Sequence, residues 1–287
     1  MKEIIEKGLF ADLEFSGNKL QSMTEIARQV RRDIVTMIRS ASSGHLGPCL
    51  SCVEILVSLY FDRMKHRPQD PAWGERDRLV LCKGHAAPAL YATLAHAGYF
   101  DCEALVSLRK TGSMLQGHPT RQTPGVDIST GSLGQGLSIA NGMALAGRLD
   151  GKTYRVYALM GDGECDEGQV WEAAMTANHL GLSNITAIID RNGVQSDDAT
   201  ENVKKKEPLD RKWHSFGWQV LEIDGHNFMQ IHHSFDVAEW TTDRPTIIIA
   251  RTVKGKGLSF LEGDANSHNA TFSEEDLEWA MEELRYS

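Results

Sequence analysis

Residues 155–194, RVYALMGDGECDEGQVWEAAMTANHLGLSNITAIIDRNGV, carry the pattern that decides the fold. An apolar run over 155–160 predicts a strand, and a glycine-acid turn follows at Gly161-Asp162-Gly163-Glu164. From about Asp166 to Leu180, apolar or small residues recur at 3.6-residue spacing, which predicts a helix. Ile185 to Asp190 predicts a second strand, which leads into Asn192-Gly193-Val194. This is a βαβ unit, and its parallel strands release their loops at one edge of the sheet, where open α/β folds place ligands. Asp162 and Asn192 then end two strands and can approach one point. Both offer hard oxygen ligands, and Gly161 and Gly163 let a ligand come close to the backbone. The set suits a small octahedral cation such as Mg2+ completed by the phosphate oxygens of a substrate or cofactor.

Other readings of the turn fail on detail. An EF-hand loop starting at Asp162 needs glycine sixth and glutamate twelfth, where the chain has Glu167 and Ala173. A dinucleotide fingerprint starting at Gly161 needs a third glycine where Asp166 stands. An isolated Gly-Asp-Gly is no more than an ordinary polar turn. The strands on both sides favour the metal-diphosphate reading. Gly151-Lys152-Thr153 is not a P-loop, because Ala146 replaces the first glycine and the segment precedes its strand.

On the N-terminal side, the first seventeen residues are too mixed to assign. Met23, Ile26, Ala27, Val30, Ile34, Met37 and Ile38 form a helical stripe within Gln21 to Ala41. Ser42-Ser43-Gly44-His45 ends it, and Val53, Leu56, Val57 and Tyr60 mark another helix. Pro68 to Gly74 is a loop, and Arg78 to Cys82 is a strand. Lys83-Gly84-His85 and an Ala-rich helix through Ala97 follow, and Asp101 is placed to cap a further short helix. The Gly/Pro/Thr-rich connection from Gln116 to Gln135 is longer than packing requires, which makes it a candidate binding loop. A helix then closes near Leu149.

On the C-terminal side, Lys204 to Lys206 reads as a solvated charge cluster. A short helix at Leu209 to Ser215, a strand at Trp218 to Ile223, a helix near Phe228 to Trp240 and a strand at Pro245 to Arg251 follow. A Lys/Gly-rich loop reaches Ser267-His268-Asn269 before an acidic helix from Glu274 to Arg285. About five strands alternating with helices predict one doubly wound α/β domain, mainly parallel, with a helical lead-in, spanning residues 1–287.

The net charge of −9 gives no footprint for nucleic acid or an anionic membrane. The N-terminus lacks signal-peptide shape, and no apolar run approaches the ~20 residues of a membrane span. Five cysteines, mostly inside predicted elements, fit a reduced cytoplasm. Cys49 and Cys52 lack a second pair and read as helix packing positions.

His45, His85 and His118 each follow a glycine at the end of a predicted element, and His268 lies in another polar loop. Imidazoles in such places can donate to phosphate or sugar oxygens and move protons near neutral pH. His226 also follows a glycine but has no supporting neighbours and is assigned a structural role. His66, His96, His179, His214, His232 and His233 are read as structural or solvated.

The Gly-Asp-Gly turn with its distant Asn resembles the cofactor motif of thiamine diphosphate enzymes. The ordered series Ser43-Gly44-His45, Gly84-His85, Gly117-His118-Pro119, Thr130-Gly131-Ser132-Leu133-Gly134-Gln135-Gly136 and Ser267-His268 resembles transketolase over about Gln21 to His268. The resemblance implies that Asp162, Asn192 and the carbonyl of Val194 hold Mg2+, with Ca2+ or Mn2+ as substitutes, against the diphosphate. It implies that His85 and His268 approach the diphosphate, that His45 and His268 face the reacting sugar, and that His118 binds donor hydroxyls. Gly131 and Leu133 would lie near the aminopyrimidine, and Glu167 would link paired active sites. Leu46 stands where the family often has proline, and Gln195-Ser196-Asp197-Asp198 follows the usual polar loop only loosely.

A full transketolase continues into a second α/β domain, with the activating glutamate and most of the sugar-phosphate site, and a C-terminal domain. The expectation is therefore the N-terminal subunit of a split transketolase, joined by a C-terminal subunit carrying the pyrimidine domain, two copies of each, and acting on sugars or sugar phosphates. The alternatives within the cofactor class are a deoxyxylulose-phosphate synthase and the α subunit of an oxo-acid dehydrogenase. Outside it stand a non-catalytic binding subunit and a generic α/β domain. The histidine set speaks for ketol transfer.

Overall fold

The computed structural model describes residues 17–196, 198–264, 267–268 and 273–286. The unassigned segment before residue 17, together with Asp197 and Asn269, lies outside these. Five strands form one sheet: β1 (Arg78–Leu81), β2 (Val156–Gly161), β3 (Ile185–Arg191), β6 (Gln219–Asp224) and β7 (Thr246–Arg251), in the order β1-β2-β3-β7-β6. Every pairing is parallel, as the alternation of strands and helices predicts. Two short strands, β4 (Val194–Gln195) and β5 (Asp198–Ala199), form an antiparallel pair that the sequence pattern does not announce.

Strands β1, β2, β3 and β7 are mostly apolar because both faces of the sheet are covered, as parallel sheets require. Leu79, Leu81, Tyr157, Leu159, Ile188 and Ile248 point to one face. Against it pack α1 (Gly17–Ala41), α2 (Leu46–Leu50), α3 (Val53–Ser58), α4 (Ala87–His96) and the later α9 (Phe228–Trp240). Val80, Val156, Ala158, Met160, Ala187 and Ile249 point to the other, covered by α5 (Gln135–Leu149), α6 (Gly168–His179) and α8 (Leu209–Ser215). Alternate residues of each strand thus enter two separate cores.

Helix α1 starts at Gly17, four residues before the predicted start, and buries Met23, Ala27, Val30, Ile34 and Ile38 along one stripe. Asp101 precedes a 3-10 turn at Cys102–Ser107, but its side chain makes no capping bond. The terminal helix α10 spans Glu274–Tyr286. A short helix α7 (Thr200–Val203) leads into Lys204 to Lys206, where Lys204 and Lys205 are exposed as predicted and Lys206 is not. Lys206 is only 3% exposed, because its Nζ lies 2.9 Å from both Asp166 Oδ1 and Gln195 Oε1. Cys49 and Cys52 are buried, and all five cysteines are free thiols. His226 is structural as expected, bridging Glu54 Oε2 at 3.0 Å and the N–H of Val253 at 2.8 Å. Among the described residues no helix is long and apolar enough to cross a membrane.

Candidate active site

The carboxyl ends of β1, β2 and β3 release three loops side by side, and together with the approaches to α2 and α5 they enclose a cavity of about 320 Å³. Each of the residues singled out in the sequence lines it. His45 comes from the turn before α2, His85 from the 3-10 turn after β1, and His118, Gly131 and Leu133 from the long connection. Gly161, Asp162, Gly163 and Glu167 follow β2, Asn192 and Val194 follow β3, and His268 arrives from beyond β7.

The βαβ unit brings its two hard donors together through the backbone. Gly161 and Asp190 are register partners in β2 and β3. Asp162 Oδ1 accepts the N–H of Gly163 at 2.8 Å, while Oδ2 accepts the N–H of Gly193 at 2.8 Å and Arg191 Nη1 at 3.0 Å. Burial pushes this carboxyl up from its ordinary value, with the Gly193 N–H and Arg191 opposing the shift. Asn192 Oδ1 accepts the N–H of Val194 at 3.1 Å, which turns the Val194 backbone around the amide. Among the described residues no group of three or more His, Cys, Asp or Glu could hold a metal. One carboxylate, one amide oxygen and one carbonyl fit a hard cation only when phosphate oxygens complete its shell, which is the donor set a diphosphate-bound Mg2+ takes.

The four imidazoles converge on His45. Its ring centroid lies 5.2 Å from His268, 5.4 Å from His85 and 6.3 Å from His118, and His85 and His268 are 5.7 Å apart. Burial, followed by His268, Arg109, His118 and Lys254, lowers His45 to about 4. Burial and the Lys83 ammonium lower His85 to about 2. Burial and Arg109 lower His118 as well. These rings are therefore neutral at pH 7, each with one donor and one acceptor nitrogen. His45 Nδ1 is buried and has no hydrogen-bond partner in the protein, so it is placed to receive a ligand. The orphaned imidazole and the oxygen donors across the cavity together fit an anionic, hydroxyl-bearing occupant.

Three supporting groups escaped the sequence reading. Lys83, which lines the cavity, forms a buried ion pair with Asp190, and its Nζ also donates to Pro48 O at 2.8 Å. Ser51 Oγ donates to Asp190 at 2.6 Å, and Thr252 donates to its other oxygen. Glu164 joins two loops: Oε1 accepts the Gly134 N–H at 2.9 Å and Oε2 the Gly161 N–H at 3.2 Å. Burial raises it to about 7. Gly134 sits at φ +85° with Glu167 packed where a Cβ would stand, at 2.7 Å, so a side chain there would be strained and crowded. The available signals were local: Lys83 precedes the Gly-His pair, Asp190 is an acid closing an apolar strand, and Glu164 follows the Gly-Asp-Gly turn.

Comparison with known proteins agrees with this geometry. Residues 22–287 match the family described as transketolase, thiamine diphosphate binding domain. The chain is 47% identical over 259 residues to the 6-deoxy-6-sulfo-D-fructose transketolase subunit SqwG of Clostridium sp. (strain MSTE9), covering 90% of this chain and 94% of that one. It is 42% identical to one of the named subunits of the apulose-4-phosphate transketolase of Phocaeicola vulgatus, over 88% of this chain and 90% of that one. Human transketolase is 39% identical over 93% of this chain, which spans 42% of it. The crystal structure of transketolase from Campylobacter jejuni superposes with a TM-score of 0.87 at 34% identity, covering 93% of this chain and 43% of that one.

Proposed function

Because the chain belongs to the transketolase family of thiamine diphosphate-binding domains, we propose that it is the diphosphate-binding subunit of a split transketolase. Such an enzyme transfers a two-carbon ketol unit from a ketose to an aldose. The observation that carries the reading is the gathering of His85, His118 and His268 around His45, with ring centroids 5.2 to 6.3 Å from it, in the cavity that Asp162 and Asn192 also line.

In this reading residues 1–287 are one cofactor-binding domain. Asp162, Asn192 and the Val194 carbonyl hold Mg2+, and Gly161 and Gly163 leave room for the diphosphate beside the backbone. The bound thiamine diphosphate supplies the stabilisation of carbanionic charge that no side chain offers. His85 and His268 donate to the diphosphate. His45 and His268 face the sugar and move its hydroxyl protons, a task that suits an imidazole neutral at working pH. His118, at the rim, holds donor hydroxyls. Gly131 and Leu133 form the wall for the aminopyrimidine end, and exposed Glu167 faces the neighbouring active site.

The partner is a separate chain carrying the pyrimidine domain and most of the sugar-phosphate contacts. Two of the relatives are named as subunits, and this chain covers 94% and 90% of their length. Two-fold symmetry gives two copies of each chain in the assembly. We place it in the cytoplasm, acting on sugars or sugar phosphates, without nucleic-acid or membrane partners. The test is donor choice by the assembled enzyme. Turnover of a ketose with an aldose acceptor supports the reading, whereas preference for pyruvate assigns the site to a 2-oxo-acid enzyme.

A further inference from the structure

Three described non-glycine residues adopt the left-handed backbone region: Ser42 at φ 47°, Arg109 at φ 60° and Ser196 at φ 51°. L-residues occupy that region under strain, and such strain persists where surrounding contacts over-determine it. All three belong to segments that lead to the cavity residues. Ser196 lines the cavity, and Ser42 starts the turn to His45. Arg109 lies outside the lining but touches both loops that deliver histidines.

Its contacts are specific. The Arg109 N–H donates to Leu115 O at 2.8 Å, closing the loop that leads to His118. Its Nη1 donates to Ser43 Oγ at 2.6 Å, two residues before His45. Its guanidinium packs on Gly117, where a Cβ would meet Nε at 3.0 Å and Cζ at 3.1 Å, so a side chain there would press the arginine aside by a few tenths of an ångström. Arg109 Nε is buried without a protein partner. Among the described residues the guanidinium makes no ion pair, and its bond to Ser43 is to a neutral hydroxyl.

We propose that Arg109 is a positioning residue for ketol transfer, tying the His45 turn to the His118 loop so that both imidazoles meet the donor sugar at fixed spacing. The inference rests on the assignment of His45 and His118 to the sugar. It adds a residue outside the cavity lining whose charge also bears on them. Arg109 is among the groups that lower His45, along with His268, His118 and Lys254, while His85 makes ring contact from the remaining side. For His118, burial and Arg109 are the causes. The cation disfavours protonation of both rings, so its removal must raise both titrations.

The test uses Arg109→Met and Arg109→Lys in the full chain and in the enzyme assembled with its partner chain. In the full chain, histidine NMR titrations of His45 and His118 should both move upward in Arg109→Met and stay near wild type in Arg109→Lys, which keeps the charge. In the assembled enzyme, kcat/KM for the ketose should fall about 10- to 100-fold in both variants, the scale of a misplaced reactive group. The acidic limb of the pH profile should rise only in Arg109→Met, with cofactor affinity unchanged in both. Unmoved titrations together with full ketose kcat/KM in Arg109→Met would overturn the proposal. So would a loss of kcat/KM matched by equal loss of cofactor affinity and thermal stability, which is the signature of a merely structural arginine. The NMR arm reads independently of the reaction, so a wild-type enzyme inactive on ketoses would refute the ketol-transfer reading without touching the charge relationship.

Discussion

The Oδ2 of Asp162, at the end of β2, accepts the backbone N–H of Gly193, just beyond β3, at 2.8 Å across 31 positions of sequence. The bond locks two neighbouring strand ends and fixes Asn192 between them. A carboxylate proposed as a metal ligand is thus also a structural tie. Replacing Asp162 with alanine should therefore both abolish Mg-dependent binding of thiamine diphosphate and destabilise the fold by about 1–3 kcal/mol, the cost of leaving a backbone donor unmatched. Asp162→Asn and Asn192→Ala should lose cofactor binding with little loss of stability. Calorimetry and thermal melts on the assembled enzyme separate the effects, and unchanged cofactor affinity in both conservative variants would remove the metal assignment.

His118 stands at the rim of the cavity, 6.3 Å from His45 by ring centroid. If it binds donor hydroxyls, His118→Ala should lower transfer from ketoses by about 10–1000-fold, on the scale of one lost transition-state donor. Cofactor affinity should hardly change. Steady-state kinetics with a ketose donor decides the matter, and full turnover in the variant would detach His118 from the donor.

Lys83 and Asp190 are both fully buried, and Asp190 is held below its ordinary value despite burial, chiefly by the Lys83 ammonium. Lys83→Met leaves the buried carboxylate without its counter-ion, with only the Ser51 and Thr252 hydroxyls donating to it, and should cost about 3–5 kcal/mol. The double variant Lys83→Met with Asp190→Leu should recover a large part of that, since a well-packed apolar pair can replace a buried ion pair. Denaturant titration of the single and double variants measures both numbers. Equal losses would mean that the pair is not the source of the cost.

Acid should destabilise the chain through its histidines. His45 has an ordinary value of 6.5 and about 4 in the folded state, so the unfolded chain binds more protons between those limits. Its contribution is complete above pH 6.5 and is lost as pH falls toward 4. Glu164 runs the other way: with 4.5 ordinarily and about 7 in the fold, its contribution is full below 4.5 and lost as pH rises through 7. Thermal midpoints from about pH 4 to 8 should therefore fall less on the acid side in His45→Gln than in wild type. Identical acid limbs in the two proteins would show that the ring is not held neutral by the fold.

The sheet and its order of elements were legible because the central strands are apolar runs and the helices keep their period. Helices α8 and α9, at Leu209–Ser215 and Phe228–Trp240, fall where the sequence placed them approximately. The candidate site was legible where glycine precedes a ligand residue at the end of an element. What stayed hidden depends on partners distant in sequence. Lys206 reads as solvated until Asp166 is beside it, and nothing in the sequence pairs Lys83 with Asp190, 107 positions away. Arg109 carries no motif in the sequence, and only its contact with Ser43 draws attention to it. The β4–β5 pair is too short to carry a period of its own.

The central claim is that this chain brings the metal and diphosphate site, while a separate chain completes the pocket. The direct measurement is transketolase turnover with thiamine diphosphate, Mg2+ and a ketose-aldose pair, using this polypeptide alone and then with a separately encoded pyrimidine-domain partner. No turnover alone and turnover on adding the second chain is the predicted result. Robust activity from this polypeptide with no partner would contradict it, and would place the activating carboxylate within residues 1–287.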